Sequence, residues 1–107
     1  MKQVSKGNTT TIILALLKSE PMYGYQIVKE MNAAHLDVLQ LNEGTIYPLL
    51  HSLERGGLVK GVWEKRQGNR QRKYYHLTPA GEKILSAKVS QWRSFSNALD
   101  GLLGSAS

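Results

Sequence analysis

Residues 58–77 read Leu-Val-Lys-Gly-Val-Trp-Glu-Lys-Arg-Gln-Gly-Asn-Arg-Gln-Arg-Lys-Tyr-Tyr-His-Leu. Two extended segments, Leu58–Lys65 and Lys73–Leu77, enclose a link with a central Gly68-Asn69 pair and no apolar residue. That is the pattern of a β-hairpin with a polar tip. Val59 is expected to pack inward, with Trp63 a second candidate. Tyr74 and Tyr75 alternate faces, so one is expected in the core and the other toward a partner or a DNA backbone. Lys60, Lys65, Arg66, Arg70, Arg72 and Lys73 crowd this hairpin against one acid, Glu64, so it carries nearly the whole net charge of +6. A solvated charged loop is the plain reading of such a run; what precedes it points further.

Upstream, Glu43–Arg55 has a helical pattern. Ile46, Leu50 and Leu53 repeat at spacings of four and three, Leu49 widens the face, and Gly56-Gly57 is a stop signal. Proline is tolerated only near a helix start, so Pro48 implies regular bonding from about Gly44-Thr45, with Asn42 or Thr45 as the cap. Gly44, Pro48, His51 and Arg55 form the outward stripe, with Tyr47 beside it. A second helix is expected over Tyr23–Asn32, burying Ile27, Val28 and Met31, with Gly24 permitting close approach of another backbone. A first is expected over Thr9–Ser19, with Ile12, Leu16 and Ser19 on one face and Ile13 and Leu17 beside it; Glu20-Pro21 ends it. Residues 33–42 are a connection.

The order helix, helix, helix, hairpin, helix is that of a winged helix-turn-helix: mostly α, with a two-stranded antiparallel β wing. The third helix would enter the DNA major groove and the wing would flank it. The candidate DNA-binding residues are Gly44, Thr45, Tyr47, Pro48, His51 and Arg55 on the helix and Arg70, Arg72 and Lys73 on the wing. Hydrogen-bonding groups and cations in this arrangement can reach base edges and phosphates.

Downstream, Thr78-Pro79 opens a last helix, with Thr as cap, Pro at the first position and Glu82 suiting the helix dipole, running to about Asp100. Leu85, Trp92 and Leu99 recur every seven residues; Val89, Phe95 and Leu102 fill the seam, and Lys88 interrupts it. Such a seam asks for a partner helix. A second subunit is the natural cover, with packing inside the chain the alternative. The expected division is a DNA-binding domain over 1–78 and a dimerisation helix and tail over 79–107.

Of the 107 residues, 41% are apolar and 21% charged, values of an ordinary single globular domain. The absence of cysteine excludes a disulfide scaffold and any cysteine-ligated metal. The longest apolar run, Ile12–Leu17, is six residues, against about 20 for a membrane span. His35, His51 and His76 show no metal-ligand spacing, and no catalytic constellation or phosphate loop is present, so neither metal, cofactor nor catalytic residue is expected. A pI near 9.7 favours an anionic partner.

Three motifs, in order, resemble PadR-type transcriptional regulators over about residues 10–85. Met22-Tyr-Gly-Tyr-Gln-Ile resembles their second-helix entry. Glu43-Gly-Thr-Ile-Tyr-Pro-Leu-Leu with Leu53-Glu-Arg-Gly-Gly-Leu-Val resembles their recognition helix. Arg72-Lys-Tyr-Tyr-His-Leu-Thr-Pro-Ala-Gly resembles the wing return and the last helix. The wing tip, Gly68-Asn69-Arg70-Gln71, departs from relatives that carry more Gly or a Pro. The resemblance implies a homodimeric, cytoplasmic DNA-binding repressor; a dimer presenting two third helices would ask for an inverted-repeat duplex operator, and with no catalytic constellation an enzyme is not expected. It points to the small subclass with one C-terminal helix. Multidrug-responsive members of that subclass use a tryptophan in this setting to stack flat aromatic compounds, which assigns Trp92 an effector role beside its place in the seam. The rival reading is a winged-helix protein-interaction module without effector sensing.

Overall fold

The computed structural model of the chain describes residues 6–33, 43–66, 68 and 70–104. The element order is α1 (Lys6–Ser19), β1 (Met22–Tyr23), α2 (Gly24–Ala33), α3 (Glu43–Arg55), β2 (Val59–Glu64), β3 (Arg72–Leu77) and α4 (Pro79–Leu103). His35 and the candidate cap Asn42 fall in the connection outside the described residues, as does Asn69 of the wing tip.

The core joins Ile13, Leu14 and Leu17 of α1 to Ile27, Val28 and Met31 of α2 and to Ile46, Leu49, Leu50 and Leu53 of α3. The expected faces of α2 and α3 are the buried ones. That of α1 is rotated: Ile13, Leu14 and Leu17 are buried, while Ile12 and Leu16 only border the core. Six apolar residues in a row leave the periodicity of α1 almost featureless, so tertiary packing chooses the face.

The sheet has three antiparallel strands in the order β1-β3-β2, not two. Met22 pairs with Tyr75 and Tyr23 with Tyr74. A strand of two residues lies below the length at which alternation can be read from sequence. The extra strand corrects the expectation for the tyrosine pair: both are buried. Tyr75 joins the helical core, while on the other face Tyr74 meets Tyr23 edge-on at 5.5 Å and carries the Arg66 guanidinium 5.0 Å above its ring.

The end of α3 and the start of α4 are one joint. Gly57 takes φ +78°, its N–H donates to the Glu54 carbonyl and that of Leu58 to the Leu53 carbonyl, each at 3.0 Å. This closure satisfies carbonyls that the helix leaves open. The Thr78 hydroxyl donates to the Gly57 carbonyl at 2.7 Å and accepts from the Gly81 N–H at 3.0 Å, and the Thr78 N–H donates to the Leu58 carbonyl. Gly81 lies so close to Leu58 that a side chain there would meet the Leu58 carbonyl oxygen. Leu85, one turn on, is buried in the same core. Lys18 and Glu82 tie α1 to α4 at 2.8 Å. Beyond this joint α4 runs for 25 residues, three past the expected end, and closes at Gly104 with φ +69°.

Gly81→Ala is therefore expected to destabilise the fold by about 1–3 kcal/mol, the range for overpacking. Gly101→Ala, with open space around it, should instead gain about 0.5–1 kcal/mol of helix stability. Urea unfolding of the two variants checks both signs.

Candidate nucleic-acid interface

An open groove of about 620 Å³ runs between the N-terminal half of α3, the start of α2 and the wing. His51 and Tyr47 line it from α3, Tyr23 and Tyr25 from the α2 side, and Trp63, Arg70, Arg72 and Lys73 from the wing. The register pairs Trp63 with Lys73 and Gly61 with Tyr75, so these four share the sheet face turned toward α3.

Gly44, Thr45, Pro48, His51 and Arg55 are exposed along α3. Thr45 lies inside the helix, which begins at Glu43, so it is not the cap. Pro48 is the sixth helical residue; lacking an N–H, it cannot bond the Gly44 carbonyl, and Gly44 lies on the exposed side of the helix.

Tyr47 is half-buried, its ring packed on Gly24, where a Cβ would come within 2.5 Å of Tyr47 Cε1. Burial, with a smaller contribution from Glu43, raises its hydroxyl pKa above the ordinary tyrosine value. It therefore packs α3 against α2 and offers only part of its ring to the groove. Arg70 is exposed at the wing. Arg72 stacks 4.5 Å above the Tyr23 ring, an arrangement that holds the guanidinium while leaving its edge able to donate.

Lys73 is already engaged. Its Nζ lies 2.9 Å from Glu54 Oε1. The hydrogen bond to Lys73 lowers the Glu54 pKa, and the same bond raises that of Lys73. Glu64 accepts from Arg66 at 2.5 Å and lies 2.7 Å from His76 Nε2; its pKa is lowered, chiefly by Arg66. The wing's six cations are thus not six equivalent phosphate contacts.

Tyr23, Tyr25 and Trp63 line the groove without having been named as site residues. Tyr23 and Tyr25 belong to the quoted Met22–Ile27 motif, but only the short strand β1 reveals that they border the wing. Trp63 was a candidate for inward packing, and its strand face is the inward one, yet it is 62% exposed. At the outer end of the hairpin this inner face looks onto the groove.

On α4 the seam residues divide. Leu85 is buried within its own chain and Val89 packs against the same core. Trp92, Phe95, Leu99 and Leu102 continue that stripe and are exposed. Trp92 and Phe95 lie 6.1 Å apart, ring to ring. The apolar surface left for another body therefore starts beyond the first three turns of α4.

Among the described residues no group of three or more His, Cys, Asp or Glu is placed to hold a metal ion, and no helix is long and apolar enough to cross a membrane. Residues 13–87 match the Transcriptional regulator PadR-like family. The chain belongs to that family. A PadR-like transcriptional regulator from Bacillus cereus superposes with a TM-score of 0.82 at 32% identity, over 92% of this chain and 93% of that one. A PadR family transcriptional regulator from Eggerthella lenta gives a TM-score of 0.75 at 31% identity, covering 94% and 85%. An uncharacterised protein of Lysinibacillus sphaericus is 28% identical over 97 residues, 91% of this chain and 89% of its own length. The chain is accordingly a PadR-type winged-helix transcriptional regulator and not an enzyme.

Glu54, Glu64 and Glu82 all have pKa values below the ordinary glutamate value of 4.5 because each accepts from a cation. A carboxylate with a depressed folded-state pKa stabilises above its unfolded pKa, and that stability is lost as pH falls through the folded value. Stability should thus decline below about pH 4.5, less steeply in Glu54→Gln; acid titration followed by circular dichroism reads this.

Proposed function

We propose that this regulator is a homodimeric, cytoplasmic repressor that binds an inverted-repeat duplex and is released from it by a flat aromatic molecule. The observation that carries the reading is the groove itself. The exposed stripe Gly44, Thr45, Pro48, His51 and Arg55 and the wing cations Arg70 and Arg72 flank one concave, basic, aromatic surface. His51 serves base edges, Arg55, Arg70 and Arg72 serve phosphates, Tyr47 sets the pitch of α3, and Lys73 adds its charge only in part. On this reading residues 1–78 hold the DNA and 79–107 hold the dimer together.

The exposed stripe Trp92, Phe95, Leu99 and Leu102 supports the second subunit, since a run of large apolar side chains on one side of a projecting helix is costly in water. Dimerisation is typical of the family. A two-fold dimer would present two α3 helices about 34–36 Å apart, one turn of duplex. Trp92, 66% exposed in the single chain, would then face its counterpart near the axis, where a planar molecule could insert with about 0.5–1.5 kcal/mol per ring pair beyond area burial. It can regulate only by preferring the DNA-free dimer. The joint of Thr78, Gly81, Gly57 and Leu58 offers the route from α4 to α3.

A duplex selection followed by titration across salt tests the DNA reading. Log affinity should fall linearly with log salt, by about 0.9 per phosphate contact. Arg70→Ala should make the slope shallower on every sequence alike, while His51→Ala should cost about 1–3 kcal/mol on the selected operator and little on random DNA. Affinity that is flat in salt would favour a protein-interaction module.

Single-tryptophan variants separate the two surfaces. In a Trp63-only protein emission should respond to duplex, and in a Trp92-only protein to a planar dye that also weakens DNA binding. Dye affinity unchanged in Trp92→Ala would leave Trp92 as a dimer anchor alone. Sedimentation of Trp92→Glu should report a shift toward monomer.

A further inference from the structure

One acid on α3 reaches both strands of the wing. Glu54 Oε2 accepts the Gly61 N–H of β2 at 3.3 Å, and Glu54 Oε1 accepts from Lys73 Nζ of β3 at 2.9 Å. β2 is an edge strand, so Glu54 gives an acceptor to a backbone donor at the margin of the sheet. Lys73 reaches Glu54 by crossing over Gly61: a side chain at Gly61 would collide with Lys73 Cε and lie 3.0 Å from Glu54 Oε2. Lys73 also sits 5.4 Å above the Tyr75 ring. Glycine, lysine and glutamate thus fit one another across three elements.

We propose that Glu54 is a positioning residue that sets the angle of the wing against the recognition helix and so controls how well the protein distinguishes its operator from other DNA. This rests on the DNA-binding reading. An acid this close to a DNA-facing wing opposes phosphate, and here it also takes up a wing cation. The charge that would bind any duplex is spent on geometry, which matters only where α3 and the wing must meet one site together. The lowered carboxylate pKa and the raised ammonium pKa are those of a pair that stays charged at neutral pH.

The clamp makes a prediction opposite to that of a phosphate contact. Glu54→Gln releases the Lys73 charge, so binding to random duplex should strengthen and its salt slope steepen by about 0.9. The ratio of operator to random affinity should nonetheless fall roughly fivefold or more, the lower end of what a lost base-pair contact costs. The charge swap Glu54→Lys with Lys73→Glu should recover only part of that ratio, because a lysine at position 54 restores the ion pair but has no acceptor for the Gly61 N–H. An unchanged ratio in Glu54→Gln, or a swap no better than its two single variants, overturns the proposal. Amide exchange in the DNA-free protein gives an independent arm: Gly61 should exchange roughly tenfold faster in Glu54→Ala, with α1 and α2 amides unchanged. If the wild-type chain binds no duplex, the DNA reading fails, and this arm still decides the clamp: equal Gly61 exchange in the two proteins sinks it.

Discussion

Burial of Ile46, Leu49, Leu50 and Leu53 along one side of α3 is the constraint on which the remaining structure depends. It fixes the rotation of that helix and thereby selects Gly44, Pro48, His51 and Arg55 as the residues facing out. Each neighbouring feature secures the same helix from another direction. Gly24 admits the Tyr47 ring at its N-terminal half, Gly57 closes its C-terminus, and Glu54 couples it to the wing. Fully burying a leucine or isoleucine is worth about 1.5–3 kcal/mol relative to leaving it exposed, so no single surface contact competes for that rotation.

The molecule keeps its two unsatisfied surfaces apart. The groove draws its lining from α2, α3 and the sheet and takes none from α4. The bare apolar stripe belongs to the distal part of α4, from Trp92 on, which at about 1.5 Å per residue is some 18 Å long. They are linked through hydrogen bonds at Thr78 and the close approach of Gly81 to Leu58. That joint is short and closely packed, with the Leu58 carbonyl in the space a side chain at Gly81 would take.

Much of this is legible from residue spacing. The bounds of α3, the stop at Gly56-Gly57 and the Thr78 cap follow from local chemistry, because each depends on residues within one or two turns. Spacing fails where the decision belongs to distant partners. Strand β1 exists only because Tyr75 offers Met22 a free edge. Trp63 shares a strand face with buried Val59 yet is exposed, because spacing does not say which end of the wing other elements cover, and the capture of Lys73 comes from a glutamate 19 residues earlier. Leu85 carries the heptad spacing of a subunit seam, yet α1 covers it before any partner could. Hydrophobic period tells which side of a helix is buried, not by whom.

The central claim is that the outward side of α3 and the wing form one duplex-binding surface separate from the stripe on α4. Amide and tryptophan indole NMR shifts recorded during titration with a selected duplex test it most directly. The account predicts the largest changes at Gly44, Thr45, His51, Arg70, Arg72 and the Trp63 indole, with smaller changes, passed on through the Thr78–Gly81 joint, at the Trp92 indole and residues 95–102. Changes concentrated on Trp92 and the distal part of α4, with α3 and the wing unmoved, would contradict it.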